Sequence, residues 1–326
     1  MPAPLEKALP ENDPLLVWRK EFPILASTTY MISHSLGAMP RRTADALQQF
    51  ANTWATRGIR AWEEGWWDMP VTTGDLIATL IGAGKSEVVM HQNVSICQWI
   101  VTSCFNWSGP RNKLVTDGLN FPSNDYIYYG LERQGARIVS VPSPDGMTLP
   151  LELLLDAIDE QTQLVSVSHV AFRSSYVQDL AAITKRAHEV GAMVVADLYQ
   201  SDAMRFLNGT PNVPAMYSAQ GGYEIINEIG VEAIRAKSLR QTQFLMDLAD
   251  EADFPVRTCR EPDRRGGVVI LDIPWGKEVT KELARREILV DYRPGAGIRI
   301  APHFYTADEE ILHTVEQIQG ITAAGV

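Results

Sequence analysis

Four short stretches put polar or aromatic side chains where ligand chemistry would need them. Asn93-Val-Ser95 follows an apolar run and opens a helical one. Unpaired N–H groups and the helix dipole make such a start a natural phosphate site, although Asn93 or Ser95 acting as a plain N-cap accounts for the same residues. Asp197 closes the apolar run Ala192-Met-Val-Val-Ala-Asp197. A carboxylate there is costly unless it is paired or at a rim; it would either bond a protonated ring nitrogen or cap the next segment. Phe121, in Asn120-Phe-Pro-Ser-Asn124, follows the run that ends at Asp117 and would stack on a flat ring or simply fill core. Arg299, inside Gly297-Ile-Arg-Ile-Ala-Pro302, needs an anionic partner, either a ligand carboxylate or a structural salt bridge.

Other constellations carry less. Gly82-Ala-Gly-Lys-Ser86 lacks the glycine five positions before Gly84 that a P-loop requires, since Thr79 stands there, and it lies between a helix and a strand in the wrong order. A helix-ending turn accounts for it better. There is no GxGxxG, HExxH or GxSxG, and the six histidines do not pair at metal-ligand spacing. Trp62, Trp66 and Trp67 read as packing ahead of an aromatic pocket.

The elements that must position these residues alternate regularly. Strands are expected at Val88–Met90, Lys113–Asp117, Arg137–Val141, Leu164–Ser168 and Ala192–Asp197. Helices fall between them at Val94–Phe105, Asn124–Gln134, Leu151–Ile158 and Leu180–Val190. Apolar strands separated by helices predict a parallel sheet covered on both faces, with ligands at the carboxyl ends of its strands. Before this region, Asp13 caps a short helix from Pro14, and helices are expected over Arg41–Thr56 and Thr73–Ile81. After it, a long helical region over Pro214–Glu251, interrupted at Gly221-Gly222, leads into a small α+β unit. The strands of that unit are expected at Val256–Cys259, Val268–Ile273, Ile288–Asp291 and Ile298–Ala301, and its helices near Lys277–Glu287 and Ala307–Gln319.

The totals narrow the partners. With 29 basic and 40 acidic side chains the net charge is −11, which disfavours nucleic acid. No basic run suggests a membrane surface, and no apolar run approaches the ~20 residues of a bilayer span. The three cysteines form no CxxC pair, and Met1–Pro14 has no apolar signal core, so a soluble, cytoplasmic protein with reduced thiols is expected.

Together these segments resemble kynureninase and its relatives among the pyridoxal-phosphate enzymes of fold type I, the class V aminotransferase group. The resemblance runs through Ser33-His-Ser-Leu-Gly37 with Met39-Pro40, Asn93-Val-Ser95, Phe121-Pro-Ser-Asn124 and Asp197-Leu-Tyr-Gln200. It continues in Phe206-Leu-Asn-Gly-Thr-Pro211, Asp291-Tyr-Arg-Pro-Gly295 and Arg299-Ile-Ala-Pro302. It implies a three-layer α/β/α fold with a mostly parallel, shortened sheet over 61–213, and a small α+β domain from 1–60 and 214–326. It implies pyridoxal 5′-phosphate as cofactor, an amino-acid substrate and a homodimer. Val94, Ser95 and Ser123 would hold the phosphate, with Thr210 reaching it across a dimer interface. Phe121 would stack on the ring, Asp197 would keep its nitrogen protonated so that it acts as an electron sink, and Gln200 belongs with these cofactor-binding positions. Arg299 would grip the substrate carboxylate.

Three departures follow from the same comparison. Asn124 and Gln200 stand where kynureninase has aspartate and histidine. More consequentially, Asp197 and Thr210 are only 13 positions apart (210 − 197), and Leu198–Gly209 contains no lysine. None of the eight lysines occupies the place of the family's Schiff-base lysine; Lys85 and Lys113 precede strands and belong at the far end of the sheet. The chain therefore reads as a family member with an internal deletion that removes two strands and the lysine between them. Its activity is expected to be impaired, with a non-catalytic homologue or a truncated relic as the alternatives.

Overall fold

The computed structural model describes residues 13–196 and 212–325. In chain order its elements are β1 (Thr29–Tyr30), α1 (Arg41–Arg57), α2 (Met69–Ile81), α3 (Val94–Ser103), β2 (Lys113–Asp117), α4 (Pro122–Leu131) and β3 (Arg137–Val141). These are followed by α5 (Leu151–Asp156), β4 (Thr162–Val167), α6 (Leu180–Glu189), β5 (Met193–Ala196), α7 (Val213–Ile229) and α8 (Val231–Glu251). The chain ends with β6 (Val269–Leu271), α9 (Gly276–Arg285), β7 (Ile288–Leu289), β8 (Asp291–Arg293), β9 (Gly297–Ile300) and α10 (Asp308–Ala324). They divide into two compact units, one of residues 47–172 and 176–220, the other of 1–46, 173–175 and 221–326.

The first unit is an α/β layer structure around a parallel sheet in the order β3-β2-β4-β5. β2 is buried along its whole length and β4 nearly so. Leu114-Val115 and Leu164-Val165 are the apolar centres of these two strands, buried as expected of strands inside a parallel sheet. Trp107, Leu114, Tyr128, Leu131, Leu164 and Val195 form the core beside them. The strand expected at Val88–Met90 does not form: no strand pairs with it among the described residues. A β-strand has no internal hydrogen bonds and exists only where a neighbour completes its ladder. Here the Met90 N–H donates to the Pro70 carbonyl at 3.0 Å instead. Gly74 lets α2 pass against this segment, since a Cβ there would sit 2.1 Å from the Val88 carbonyl oxygen. The tryptophans pack: Trp66 stacks on Phe50 at 5.4 Å and meets Trp62 edge-on at 5.3 Å.

The second unit has an antiparallel sheet in the order β6-β9-β8 and a two-stranded parallel pair of β1 with β7. Its core joins Leu245, Met246 and Ala249 of α8 to Val279 and Leu283 of α9, Ile298 and Ile300 of β9, and Ile311, Val315 and Ile318 of α10. Two expectations are corrected. The long helix breaks at Gly230 (φ 89°), not at Gly221-Gly222, which lie inside α7. Gly221 serves packing instead: a Cβ there would meet Cβ of Arg42 at 2.8 Å. The strand expected over Ile288–Asp291 is two, because Ile288 and Leu289 pair with β1 whereas Asp291 turns to pair with β9. Around Val256 only a single bridge to Leu271 forms.

Candidate functional site

In the first unit the expected cofactor residues sit at two helix starts. Asn93 has extended backbone, and its side chain accepts from the Ile96 N–H at 3.0 Å, so it caps α3. Val94 and Ser95 are the first residues of that helix, and their N–H groups precede its ladder. Val94 is exposed. α4 begins with Pro122, preceded by Phe121 at the cap position. The Phe121 ring is 49% exposed, touching Phe172 edge-on at 4.9 Å, which leaves a face open for a flat ring. Ser123 lies in the first turn of the same helix. Asp197, Gln200 and Thr210 lie outside the described residues.

The structure adds a buried polar cluster at the carboxyl end of β2 that motif reasoning missed. Asp117 is fully buried. Its carboxylate accepts from the Leu119 N–H at 2.8 Å and from Gln178 Nε2 at 3.0 Å. Burial pushes this carboxyl up, against the lowering effect of those hydrogen bonds. Asn120 Oδ1 takes three donors, from the Phe121 N–H, Asn124 Nδ2 and Ser168 Oγ, at 2.9, 3.0 and 2.9 Å. Asn124 is 1% exposed, and its Oδ1 has no partner in the structure. Asp125 is also raised, by burial first and then by the charge of Asp117. The signal was present in sequence: Lys113-Leu-Val-Thr-Asp117 ends in aspartate as the run to Asp197 does.

The lysines explain what the cluster lacks. Lys113 is buried at the first position of β2, the opposite end of that strand from Asp117, and Nζ meets Asp159 at 2.9 Å. That hydrogen bond holds Asp159 below the usual carboxylate range. Lys237 is buried on α8 of the second unit, where Nζ donates to Asp13 at 2.6 Å and to the Phe304 carbonyl at 2.7 Å. Burial lowers its ammonium, opposed chiefly by Asp13.

In the second unit Arg299 lies in the fully buried strand β9. It sits directly across from Asp291 in the antiparallel register. Nε and Nη2 reach the two Asp291 oxygens at 2.8 and 2.5 Å. Of the two partners open in the sequence, the structure supplies the internal one. Asp291 also meets His34 Nε2 at 3.3 Å. Burial alone would raise the Asp291 carboxyl, but hydrogen bonds from Arg299 and His34 hold it well below the ordinary range.

A parallel sheet with open helix starts at its ligand end defines an α/β protein of the pyridoxal-phosphate fold type I class. The description Aminotransferase class-V matches residues 29–203, and Kynureninase C-terminal domain matches 234–318. The chain belongs to the class-V aminotransferase family. It is 25% identical to kynureninase of Geobacillus thermodenitrificans (strain NG80-2) over 398 aligned positions, covering 97% of this chain and 93% of that protein. It is 26% identical to kynureninase of Burkholderia pseudomallei (strain K96243) over 394, covering 96% and 94%. In fold it is similar to an apo cysteine desulfurase of Thermococcus onnurineus NA1, with TM-score 0.81, 17% identity and 98% and 99% coverage. It is also similar to a mutant of C-DES with glycine covalently linked to the PLP cofactor, with TM-score 0.83, 15% identity and 92% and 98% coverage.

The cofactor of this family is pyridoxal 5′-phosphate. The described residues fit its non-covalent part. Two helix starts offer N–H donors for a phosphate, Phe121 offers a ring face, and Asn124 Oδ1 is a buried acceptor awaiting a donor. Within the same unit, Lys113 offers no covalent attachment beside them, since it is tied to Asp159 at the opposite end of β2 from Asp117. Among the described residues no helix is long and apolar enough to cross a membrane, and no cluster of three or more His, Cys, Asp or Glu could hold a metal ion.

Proposed function

We propose that this chain is a kynureninase-like homologue that holds pyridoxal phosphate without a covalent lysine and binds an amino acid, with turnover impaired. The observation that carries this reading is the placement of Lys113 at the wrong end of β2, with its charge already neutralised by Asp159. Leu198–Gly209 supply no lysine either. The alignment with the Geobacillus kynureninase supports a deletion: 97% of 326 residues is about 316, so about 82 of its 398 positions (398 − 316) hold no residue of this chain.

On this reading Val94, Ser95 and Ser123 hold the phosphate, Phe121 stacks on the ring, and Asp197 pairs with the ring nitrogen; Gln200 and Thr210 complete the set. When bound, the cofactor supplies an electron sink for the amino acid's α-carbon. The chain's own groups bind and orient it, and the base that would move the α-proton is missing. A homodimer belongs to the same reading through Thr210, whose segment crosses the subunit interface in the family; a strictly monomeric species in light scattering would remove that part.

The test is the visible spectrum of the purified chain incubated with pyridoxal phosphate, then desalted with and without borohydride. Cofactor that washes out unless its concentration is maintained, with no single lysine labelled stoichiometrically, is expected. Label fixed by borohydride and mapped to a single lysine would overturn the reading and restore a lysine-dependent enzyme.

A further inference from the structure

The second unit holds a cavity of about 270 Å³ at the amino end of the parallel pair β1–β7. His34 and Asp291 follow the other end of that pair. The floor is Thr28 and Ile288, which are 8% and 1% exposed. The walls are Arg286 and Glu287 at the end of α9, with Glu310 and His313 on α10; Arg286, Glu287 and His313 face solvent.

The charges around this cavity are neutralised with one exception. Glu310 accepts from Arg19 at 2.5 and 3.0 Å and from the Ala307 N–H at 2.8 Å. Arg286 donates to Glu282 at 3.0 and 3.1 Å and to Gln317 Oε1 at 2.7 Å. Glu287 has no cation at ion-pair distance among the described residues; its Oε2 accepts from the Thr28 hydroxyl at 3.4 Å. With His313 neutral, one uncompensated negative charge remains at the cavity.

The backbone gives no reason for a glutamate here. Glu287 has φ 58° just past the end of α9, a left-handed position that glycine fills at least cost. What joins β7 to β1 is its carbonyl, which accepts from the Thr29 N–H at 3.0 Å, and any residue supplies a carbonyl. The side chain is left to serve the cavity.

We propose that this cavity binds a small organic cation bearing a primary ammonium, with the Glu287 carboxylate as its counter-charge and Ile288 beneath its carbon chain. An ammonium offers three donors around one point, which suits a carboxylate oxygen beside a hydroxyl that can still accept. A planar guanidinium would need both carboxylate oxygens, and Thr28 already engages Oε2. A quaternary ammonium would need aromatic faces, and no Phe, Tyr or Trp lines the cavity. The proposal does not rest on the function proposed above.

The experiment is NMR of the full chain with labelled isoleucine methyls and no pyridoxal phosphate added, Ile288 being assigned by the signal lost in Ile288→Val. Ethylamine, tetramethylammonium and acetate are the probes. Ethylamine should shift the Ile288 signal saturably, and the other two should not. Glu287→Gln should weaken ethylamine about tenfold, the loss of one charge-assisted hydrogen bond. Glu287→Gly should lose the same affinity while melting no lower than the parent chain, which separates lost binding from lost fold. Four results would each overturn the site: no saturable shift, an equal shift with tetramethylammonium, ethylamine affinity unchanged in Glu287→Gln, or a Glu287→Gly chain that melts below the parent.

Discussion

Replacing Asp291 by asparagine would remove the carboxylate bonded to Arg299, whose side chain is 4% exposed and which sits across from Asp291 in register. Breaking a buried ion pair by removing one partner costs about 3 kcal/mol, since the remaining charge stays desolvated. The chain has two compact units, so a single melting curve need not report this loss. Hydrogen exchange at the β9 amides, Ile298 and Ile300, reads it locally. About 3 kcal/mol corresponds to a protection loss of roughly 150-fold. The pH dependence fixes the cause. The folded-state pKa of Asp291 is depressed, so its stabilisation is fully present above the unfolded value of about 3.9 and is lost as pH falls below it. Parent and Asp291→Asn should therefore differ fully at pH 5 to 7 and converge on acidification below about pH 4. Equal protection at pH 6, or a difference that persists unchanged at pH 3, would refute the assignment of this stability to the ion pair.

Gly221→Ala and Gly222→Ala should move thermal stability in opposite directions. The first places a Cβ 2.8 Å from Arg42 Cβ and should destabilise by about 1–3 kcal/mol; the second meets nothing within 4 Å inside α7 and should stabilise by up to about 1 kcal/mol. Phe121→Ala should leave the melting temperature nearly unchanged, because the ring is half exposed, yet weaken pyridoxal phosphate in a fluorescence titration by about three- to tenfold, the worth of one aromatic stacking contact. Lys113→Met should leave the pyridoxal phosphate affinity in the same fluorescence titration unchanged, because Lys113 lies at the amino end of β2; weaker binding would place that lysine in the site.

Local pattern was enough wherever an element is stabilised by its own residues or by a face that shows in the sequence. β2, β3 and β4 were legible because each centres on a short apolar stretch, Leu114-Val115, Ile138-Val139 and Leu164-Val165, between helical segments, and the start of α3 because Asn93 is a strong cap. The failures are of another kind. Val88–Met90 has the composition of a strand, but composition cannot supply a neighbour, and no ladder forms there. Gly221-Gly222 reads as a breaker because glycine lowers helix propensity by about 1 kcal/mol, and tertiary contact with Arg42 outweighs that preference. Asp291 was visible only as part of a family motif. Its effect on Arg299 depends on the pairing register of β8 with β9, which periodicity does not set.

Three of the four buried cations among the described residues share one arrangement with a consequence for chemistry. Lys113 is held by Asp159, Lys237 by Asp13 and Arg299 by Asp291. Arg265 is stabilised differently, by the carbonyls of Arg260 and Leu239 with Gln243 Oε1. An ammonium tied to a carboxylate must first break that pair, within a poorly solvated setting, before it can lose its proton and attack an aldehyde. That cost falls on both buried lysines and leaves solvent-facing ones, such as Lys185 on α6, as the easier targets. Low-level, multi-site labelling by pyridoxal phosphate and borohydride that spares Lys113 and Lys237 is thus the pattern of a chain without a dedicated anchor. Stoichiometric labelling of Lys237 would instead mean that Asp13 yields its partner, and that the small unit carries the covalent chemistry.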